Sequence, residues 1–179
     1  MILVDTSVIV AWLDKNHPHH SACAKIIEHW ARRDRLAVSS VTYGELARDS
    51  GEIRAAITRH STHRKRMTVC DDDSGRAAHT SWRVVERLNA ATLVEARIHT
   101  GRTHQIRVHF QFLGHPLVGD ETYGARQNAR LKELTNYAAA RVMLHSRELS
   151  FIHPRTEKEM SFESPLPKDF LAALKLLRA

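Results

Sequence analysis

The pattern of apolar residues changes near residue 49, and this change limits the folds open to the chain more than any other sequence feature. Before residue 49, apolar residues recur over helix-length segments that are separated by short strand-like runs. After it, the strand-like segments are short and turn residues separate them, at residues 66–70, 80–87, 92–98 and 148–153. Short strands joined by turns favour antiparallel pairing. We therefore predict an α+β protein whose sheet is mainly antiparallel.

The first 48 residues are typical of the start of an α/β domain. Their strand-like runs alternate with helical runs in the order β-α-α-β-α, at residues 2–4, 8–13, 21–33, 35–39 and 41–48. This order favours a parallel sheet. The sequence therefore predicts a short N-terminal α/β segment, residues 1–48, followed by a separate antiparallel unit, residues 49–179.

Two later segments have apolar residues at a spacing that fits a helix. Residues 105–112 are ambiguous, because their apolar residues alternate as in a strand, yet Ile106, Phe110 and Leu113 also share one helical face. Periodicity alone does not separate the two structures. Residues 168–178 predict a short C-terminal helix, since their apolar residues recur at helical spacing.

The chain is basic, with 27 Lys and Arg against 20 Asp and Glu and a formal net charge of +7. An excess of this size favours a polyanion as partner, because neutralising phosphates drives non-specific nucleic-acid binding. Residues 54–66 contain five basic side chains and no acidic one. Such a run is often only a solvated surface, but its side chains can all donate hydrogen bonds to phosphate oxygens. The predicted RNA-binding residues of this run are Arg59, His60, Arg64, Lys65 and Arg66.

Cysteine usage and hydropathy exclude several classes of protein. Cys23 and Cys70 are far apart in the sequence, which excludes a disulfide scaffold and a Cys-based zinc site. No run approaches the ~20 apolar residues that a membrane span needs. Asp5 interrupts the apolar start, so no signal peptide is predicted. We expect a cytoplasmic protein with no membrane partner, and the oligomeric state is left open.

The second part of the chain contains an ordered series of motifs that identifies a family. The motifs include Arg59-His60-x-Thr62-x-Arg64-Lys65-Arg66, Leu93-Val94-Glu95-Ala96-Arg97, Thr100-Gly101-Arg102-Thr103-His104-Gln105-Ile106-Arg107, and Gly114-His115-Pro116-Leu117-Val118-Gly119-Asp120-x-x-Tyr123-Gly124. Residues 51–177 thereby resemble the RluA family of pseudouridine synthases, RluD-like in type, over the C-terminal half of the catalytic domain.

The resemblance implies an enzyme that isomerises uridine to pseudouridine in RNA, ribosomal RNA being the expected substrate, without metal or cofactor. It also implies that residues 105–113 are helical. Arg107 matches the arginine that pairs with the family's nucleophilic aspartate and holds it ionised, and Ile106 matches the apolar residue packed beneath the site. Arg102 and His104 lie on the loop leading into the site and are expected to contact RNA. The alternative for Arg107 is a cap on a surface helix.

The family's nucleophile does not appear in this sequence. Its aspartate belongs to an Arg-Leu-Asp motif followed by a tyrosine, and neither motif occurs in the chain. We therefore assign no nucleophile, and we expect Arg107 to lie without a carboxylate partner, turned toward solvent or phosphate. The isolated chain is expected to bind structured RNA with negligible turnover.

Residues 1–48 resemble the start of a PIN domain, the metal-dependent ribonuclease fold of VapC-type toxins. The resemblance rests on residues 2–9 and 39–46. It implies that Asp5 and Glu45 help to ligate Mg²⁺, which activates water against a phosphodiester. A PIN-type ribonuclease fragment and a non-catalytic RNA-binding remnant are therefore the alternatives to the synthase.

Overall fold

A computed structural model describes residues 35–72, 74–153 and 156–178, and these form two antiparallel sheets and three helices. The strands are β1 (Arg35–Tyr43), β2 (Ser50–Arg54), β3 (Ala56–Arg59), β4 (Met67–Cys70), β5 (His79–Leu88), β6 (Ala91–Ile98), β7 (Leu144–Ile152) and β8 (Glu159–Glu163). The helices are α1 (Gln105–Phe112), α2 (Ala125–Thr135) and α3 (Lys168–Leu177). The larger sheet has the order β2-β5-β6-β1-β7-β8, and β3 and β4 form a separate hairpin. Every pairing among these strands is antiparallel, which confirms the predicted α+β class and mainly antiparallel sheet.

Strand β1 lies inside the larger sheet, between β6 and β7. It pairs antiparallel with both, and its register with β6 runs from Leu36 opposite Ile98 to Tyr43 opposite Ala91. The sheet thus includes residues on both sides of the boundary predicted at residues 48 and 49. The parallel arrangement expected for the N-terminal segment does not hold for β1, and the strand and helices predicted within residues 1–34 lie outside the described residues.

The helix predicted at residues 41–48 is wrong, because β1 continues through Tyr43 and irregular backbone follows it. Val41 is completely buried, and its backbone N–H donates to the Met143 carbonyl at 3.1 Å. Its own carbonyl accepts the backbone N–H of Val118 at 2.8 Å. These hydrogen bonds to distant segments hold the backbone extended, whereas the spacing of apolar residues along the sequence also fits a helix.

The larger sheet is covered on both faces, as the alternation along β6 shows. Val94 and Ala96 face α1, whereas Ala91 and Leu93 face α3. The cluster on the α1 side, core A, consists of Val38, Leu46, Ile53, Trp82, Val94, Ala96, Ile98, Ile106, Phe110 and Leu117. The cluster on the α3 side, core B, consists of Val41, Leu88, Ala91, Leu93, Val118, Leu131, Met143, Phe170, Ala173, Leu174 and Leu177. The sheet is therefore the middle layer of the fold.

The basic hairpin, which we define as β3, the loop 60–66 and β4, packs beside α1. Ile57 of β3 clusters with Val108 of α1, and Met67 and Val69 of β4 pack against the same cluster. The loop is exposed to solvent apart from His60, which is half-buried. The fold therefore holds the predicted RNA-binding residues next to the helix that carries Arg107.

Helix α1 confirms the helical structure that the resemblance implies for the ambiguous segment, and α3 confirms the predicted C-terminal helix. The sequence pattern does not predict α2, because only Leu131 of its 11 residues is buried and no apolar stripe results. Strands β2, β3 and β8 are likewise not predicted. Within the described residues, no helix has the length and apolar character that crossing a membrane requires.

We expect Phe110→Ala to lower the free energy of unfolding by about 3–5 kcal/mol, because it leaves a cavity in core A. Phe110 has no exposed surface, and its ring centroid lies 6.3 Å from that of Trp82. Phe112→Ala is the matched control, since Phe112 is on the same helix but 57% exposed, and we expect a change of only about 0.5 kcal/mol. Urea denaturation measures both values. Equal losses in the two variants would contradict the assignment of core A.

Candidate active site

A bidentate ion pair joins α1 to the segment that precedes α2. The Nε of Arg107 donates to Oδ2 of Asp120 at 2.7 Å, and its Nη2 donates to Oδ1 at 2.8 Å. The Asp120 side chain has no exposed surface, and that of Arg107 is only 18% exposed. Paired hydrogen bonds of this kind fix the plane of a guanidinium as well as its position. Arg107 is therefore held in one orientation.

Asp120 also shapes its own turn. Its Oδ1 accepts the backbone N–H groups of Thr122 and Tyr123, both at 3.1 Å. Its backbone carbonyl accepts the N–H of Gly124 at 2.8 Å. A carboxylate that accepts local backbone amides in this way stabilises a turn. One side chain thus positions Arg107 and closes the turn that leads into α2.

Gly119, directly before this carboxylate, has no room for a side chain. It has a φ of 79°, and a Cβ there would clash with the carbonyl oxygen of Arg141. Its N–H donates to Oδ1 of Asn128 at 2.9 Å, and the Asn128 amide donates to the Asp120 carbonyl at 3.2 Å. Only glycine combines this backbone conformation with so close an approach. The path of the chain into Asp120 is therefore fixed by Gly119.

Tyr123 contacts Arg107, His104 and the start of β4. Its ring centre lies 4.9 Å from Cζ of Arg107, within reach of a cation–π interaction. Its hydroxyl accepts the backbone N–H of Met67 at 2.8 Å and lies 2.9 Å from Nδ1 of His104. Burial raises the pKa of this hydroxyl above its ordinary value. The group therefore stays protonated at neutral pH and can donate one hydrogen bond while accepting another.

Gln105 fastens the loop before α1 to strand β5. Its Oε1 accepts from the Thr100 hydroxyl at 2.8 Å and from the Arg102 backbone N–H at 3.0 Å. Its Nε2 donates to the Thr80 hydroxyl at 2.9 Å. Arg102 itself donates from Nε to the Ala77 carbonyl at 3.0 Å. The loop predicted to lead into the site is thus anchored at its end, and part of Arg102 is engaged within the fold.

His109 lies one turn further along α1 and is completely buried. Its Nδ1 is 2.9 Å from the Thr80 hydroxyl, and its Nε2 is 3.1 Å from the Ala55 carbonyl. Burial lowers its pKa below the ordinary value of 6.5. His109 therefore ties α1 to the sheet in its neutral form. The predicted Ile106 lies on the same helix, 5% exposed and packed in core A.

The basic loop is ordered by its own hydrogen bonds. Arg59 donates from Nη1 to the Arg64 carbonyl at 3.1 Å, and the His60 N–H donates to the Arg66 carbonyl at 3.0 Å. The Nδ1 of His60 accepts two loop amides at 3.2 Å each. Arg64, Lys65 and Arg66 are exposed. The structure brings His104 together with Arg107 through Tyr123, while the basic loop stands beside this group at the end of the hairpin.

The expectation that Arg107 lacks a carboxylate partner is wrong, as is the alternative that it caps a surface helix. Asp120 provides the partner, and burial keeps the pair away from bulk water. Sequence reasoning missed Asp120 and Tyr123 as functional residues. The motif Gly119-Asp120-x-x-Tyr123-Gly124 contains both, but the spacing of 13 residues between Arg107 and Asp120 corresponds to no local structural period.

The residues of the expected magnesium site are not assembled in the described part of the chain. Glu45 is exposed on irregular backbone after β1, instead of on the helix expected for it. Asp5 lies outside the described residues. Across residues 35–72, 74–153 and 156–178, no three His, Cys, Asp or Glu side chains are grouped so that they could hold a metal ion.

Comparison with known proteins identifies relatives over nearly the whole chain. The family model described as RNA pseudouridylate synthase matches residues 19–112. The ribosomal large subunit pseudouridine synthase D of Zymomonas mobilis is 34% identical over 173 residues, which cover 97% of this chain and 53% of that protein. Its namesake from Pseudomonas aeruginosa is 43% identical over 72% of this chain and 41% of its own length. The chain thus spans about half the length of the curated relatives it matches. Because these matches include much of residues 1–48, they give no support to a PIN-like segment.

Solved structures share the fold. The human RNA pseudouridylate synthase domain containing 1 superposes with a TM-score of 0.64 at 28% identity, over 82% of this chain and 58% of that one. The human RNA pseudouridylate synthase domain containing 4 superposes with a TM-score of 0.67 at 21% identity, over 92% of this chain and 69% of that one. The second likeness extends to the fold alone.

We expect Asp120→Asn to lower the free energy of unfolding by about 2–3 kcal/mol. The substitution removes the negative charge to which the guanidinium of Arg107 and two backbone amides donate hydrogen bonds. Asp169→Asn is the matched control. Asp169 pairs with Arg141 through the same two guanidinium nitrogens at 2.6 and 3.1 Å, but its side chain is 51% exposed. An exposed pair contributes about 0–1 kcal/mol. Urea unfolding of both variants tests the difference, and an equal small loss would contradict the structural role of Asp120.

Stability should fall as the pH drops below about 6.5, the ordinary pKa of histidine. Burial lowers the pKa of His109, so the unfolded chain binds more protons than the folded one once the pH is below that value. The expected slope is at most about 1.4 kcal/mol per pH unit for each such histidine, and His99, whose pKa is also lowered by burial, acts in the same direction. Urea midpoints of the wild type and His109→Gln between pH 5.5 and 7.5 measure this. An identical slope in both proteins would contradict it.

Proposed function

Because the chain belongs to the RNA pseudouridylate synthase family, we propose that it binds RNA and supplies the arginine-bearing half of a site that isomerises uridine to pseudouridine. Two of its relatives are named ribosomal large subunit pseudouridine synthase D, and on this ground we propose ribosomal RNA as the substrate. The complete site also requires a nucleophilic carboxylate, which we do not assign. The cytoplasmic location expected from the sequence stays a prediction.

The observation that carries the proposal is the fixed guanidinium of Arg107 beside the basic hairpin. Its Nε and Nη2 are both bound to Asp120, and its Nη1 has no hydrogen-bond partner among the described residues. A partly buried guanidinium edge with free N–H groups favours an anion. The carboxylate of an attacking aspartate is the anion that the family resemblance implies, and Arg107 would keep that carboxylate ionised.

Asp120 is not suited to be the attacking group. Its side chain has no exposed surface, so a nucleotide does not reach it. Both of its oxygens already accept hydrogen bonds, from Arg107 and from the amides of Thr122 and Tyr123. We propose that Asp120 holds Arg107 in place and that another carboxylate is the nucleophile.

The chemistry agrees with a site built from a carboxylate and an arginine alone. Isomerisation breaks the C1′–N1 and C5–H bonds and forms the C1′–C5 and N1–H bonds. One proton leaves C5 and one is taken up at N1, so substrate and product contain the same atoms and the same number of electrons. No oxidant or reductant is required, and we propose that neither metal nor cofactor takes part. The target nucleotide must leave its helical stack to reach such a site, and the exposed basic loop supports the flanking RNA through phosphate contacts.

RNA affinity should fall steeply with salt, and neutralising Arg59, Arg64, Lys65 and Arg66 to Gln should remove most of that dependence. If each side chain neutralises one phosphate, the slope of log K against log salt decreases by about 0.7–0.9 for each of them. Filter binding to a structured ribosomal RNA fragment at several salt concentrations measures the slope.

The matched control neutralises four exposed basic residues of α2 and α3, which are Arg130, Lys132, Lys168 and Lys175. The total charge change is the same, so an equal loss in the control would show a general charge effect and contradict the assignment of the basic loop. Absence of RNA binding by the wild type would contradict the proposed function.

A tritium-release assay tests catalysis, with ribosomal RNA fragments whose uridines carry tritium at C5. We expect negligible turnover by the isolated chain, because no accessible carboxylate faces Arg107 among the described residues. Addition of EDTA should leave any activity unchanged. Robust turnover that is abolished by changing one Asp within residues 1–48 would contradict the first expectation and would identify the nucleophile.

A further inference from the structure

We infer that Tyr123 is a positioning residue that fixes the basic hairpin relative to Arg107, so that RNA bound on the hairpin is presented to the guanidinium in one orientation. The inference rests on the proposed function, since RNA is the ligand to be presented. It assigns to Tyr123 a role that acts through Met67 on one side and through Arg107 on the other.

The ring side of Tyr123 restrains Arg107. The tyrosine is 9% exposed, and its ring centre lies 4.9 Å from Cζ of the guanidinium. Its backbone N–H donates to Oδ1 of Asp120 at 3.1 Å, the oxygen that also accepts Nη2 of Arg107. Arg107 is therefore held along one edge by Asp120 and across one face by Tyr123. Any displacement of the tyrosine disturbs both restraints.

The hydroxyl side of Tyr123 restrains the hairpin. It accepts the backbone N–H of Met67 at 2.8 Å. Met67 is the first residue of β4 and follows directly after Arg66, the last residue of the loop. A backbone hydrogen bond at this point fixes the stem of the hairpin itself, whereas a contact to a long side chain would leave the stem free to shift. The exposed cations of the loop are thereby set at a defined distance from Arg107.

His104 completes the arrangement. Its Nδ1 lies 2.9 Å from the Tyr123 oxygen, and the two rings meet edge-on with centroids 5.7 Å apart. Because the oxygen already accepts from Met67, its proton is available to His104 in the tautomer that carries hydrogen on Nε2. The same hydroxyl thus joins the hairpin, the loop before α1 and the aromatic ring beneath Arg107.

Apolar contacts explain why the hairpin docks but not why it keeps one orientation. The buried part of the cluster between hairpin and helix consists of Ile57, Ala78, Val108 and Tyr123, with Met67 and Val69 packed against it. Contacts of this kind have no preferred direction. A hydrogen bond does have one. On β3, Ile57 exchanges backbone hydrogen bonds with Arg76 at 3.0 and 2.9 Å, and on β4 the bond from Met67 to Tyr123 lies at the point where the loop ends.

The test compares Tyr123→Phe with Tyr137→Phe. The first variant keeps the ring beside Arg107 and removes the hydroxyl. The second removes a half-buried hydroxyl whose contact is the Met143 sulfur at 3.9 Å, away from the hairpin. We expect exchange of the Met67 amide hydrogen to accelerate about two- to tenfold in Tyr123→Phe, and RNA affinity to weaken severalfold, with neither change in Tyr137→Phe.

A spectroscopic signature separates positioning from general stability. The Nε–H resonance of Arg107 should shift when the wild type binds RNA. In Tyr123→Phe at saturating RNA, this shift should be absent or the resonance should broaden. The wild type alone gives a further measurement, because RNA binding should slow exchange at Met67 if the two sites are linked.

The outcomes distinguish this inference from the proposed function. If the wild type does not bind RNA, the proposed function fails. If it binds RNA, and Tyr123→Phe binds equally well with the same Arg107 shift, the positioning role of Tyr123 is overturned. Weaker binding together with an unchanged exchange rate at Met67 would also overturn it, since the hydroxyl would then act by another route.

Discussion

The carboxylate of Asp120 is the constraint on which the site depends. A charge without exposed surface loses its hydration, and that loss is offset only where charged and hydrogen-bonding partners surround it. Here the partners are the guanidinium of Arg107 and the amides of Thr122 and Tyr123. The helix and the turn must therefore meet in one arrangement, because any other leaves a buried charge unpaired.

The larger sheet carries this constraint through β1. Leu117 forms a β-bridge with Thr42. The Val118 N–H donates to the Val41 carbonyl, and the Val118 carbonyl accepts the N–H of Met143. The segment that ends in Asp120 is thus attached to the end of β1 before the chain turns into α2. Core A fixes the helix on one face of the same sheet. Arg107 and Asp120 are consequently both positioned by contacts with β1.

The pattern of apolar residues along the sequence predicted the strands and helices that do not depend on contacts with distant segments. Strands β5 and β6 were predictable because their segments are short and strand-like, while periodicity alone left α1 undecided and the family resemblance settled it. Residues 41–48 were assigned to a helix, since the hydrogen bonds of Val41 with Met143 and Val118 cannot be seen in the sequence. The sequence motif singles out Arg107, but the partner of Arg107 depends on a turn that brings Asp120 back from 13 residues along the chain.

The position of β1 in the sheet also has a consequence for how the chain is made. β1 needs β6 on one side and β7 on the other, and β7 begins at Leu144, about a hundred residues later. At about 5–20 residues per second on the ribosome, β1 waits roughly 5–20 seconds with one edge of its backbone unpaired. An unpaired edge is a template for association with other chains. The order of the strands, more than their number, therefore sets how long this edge stays unpaired during synthesis.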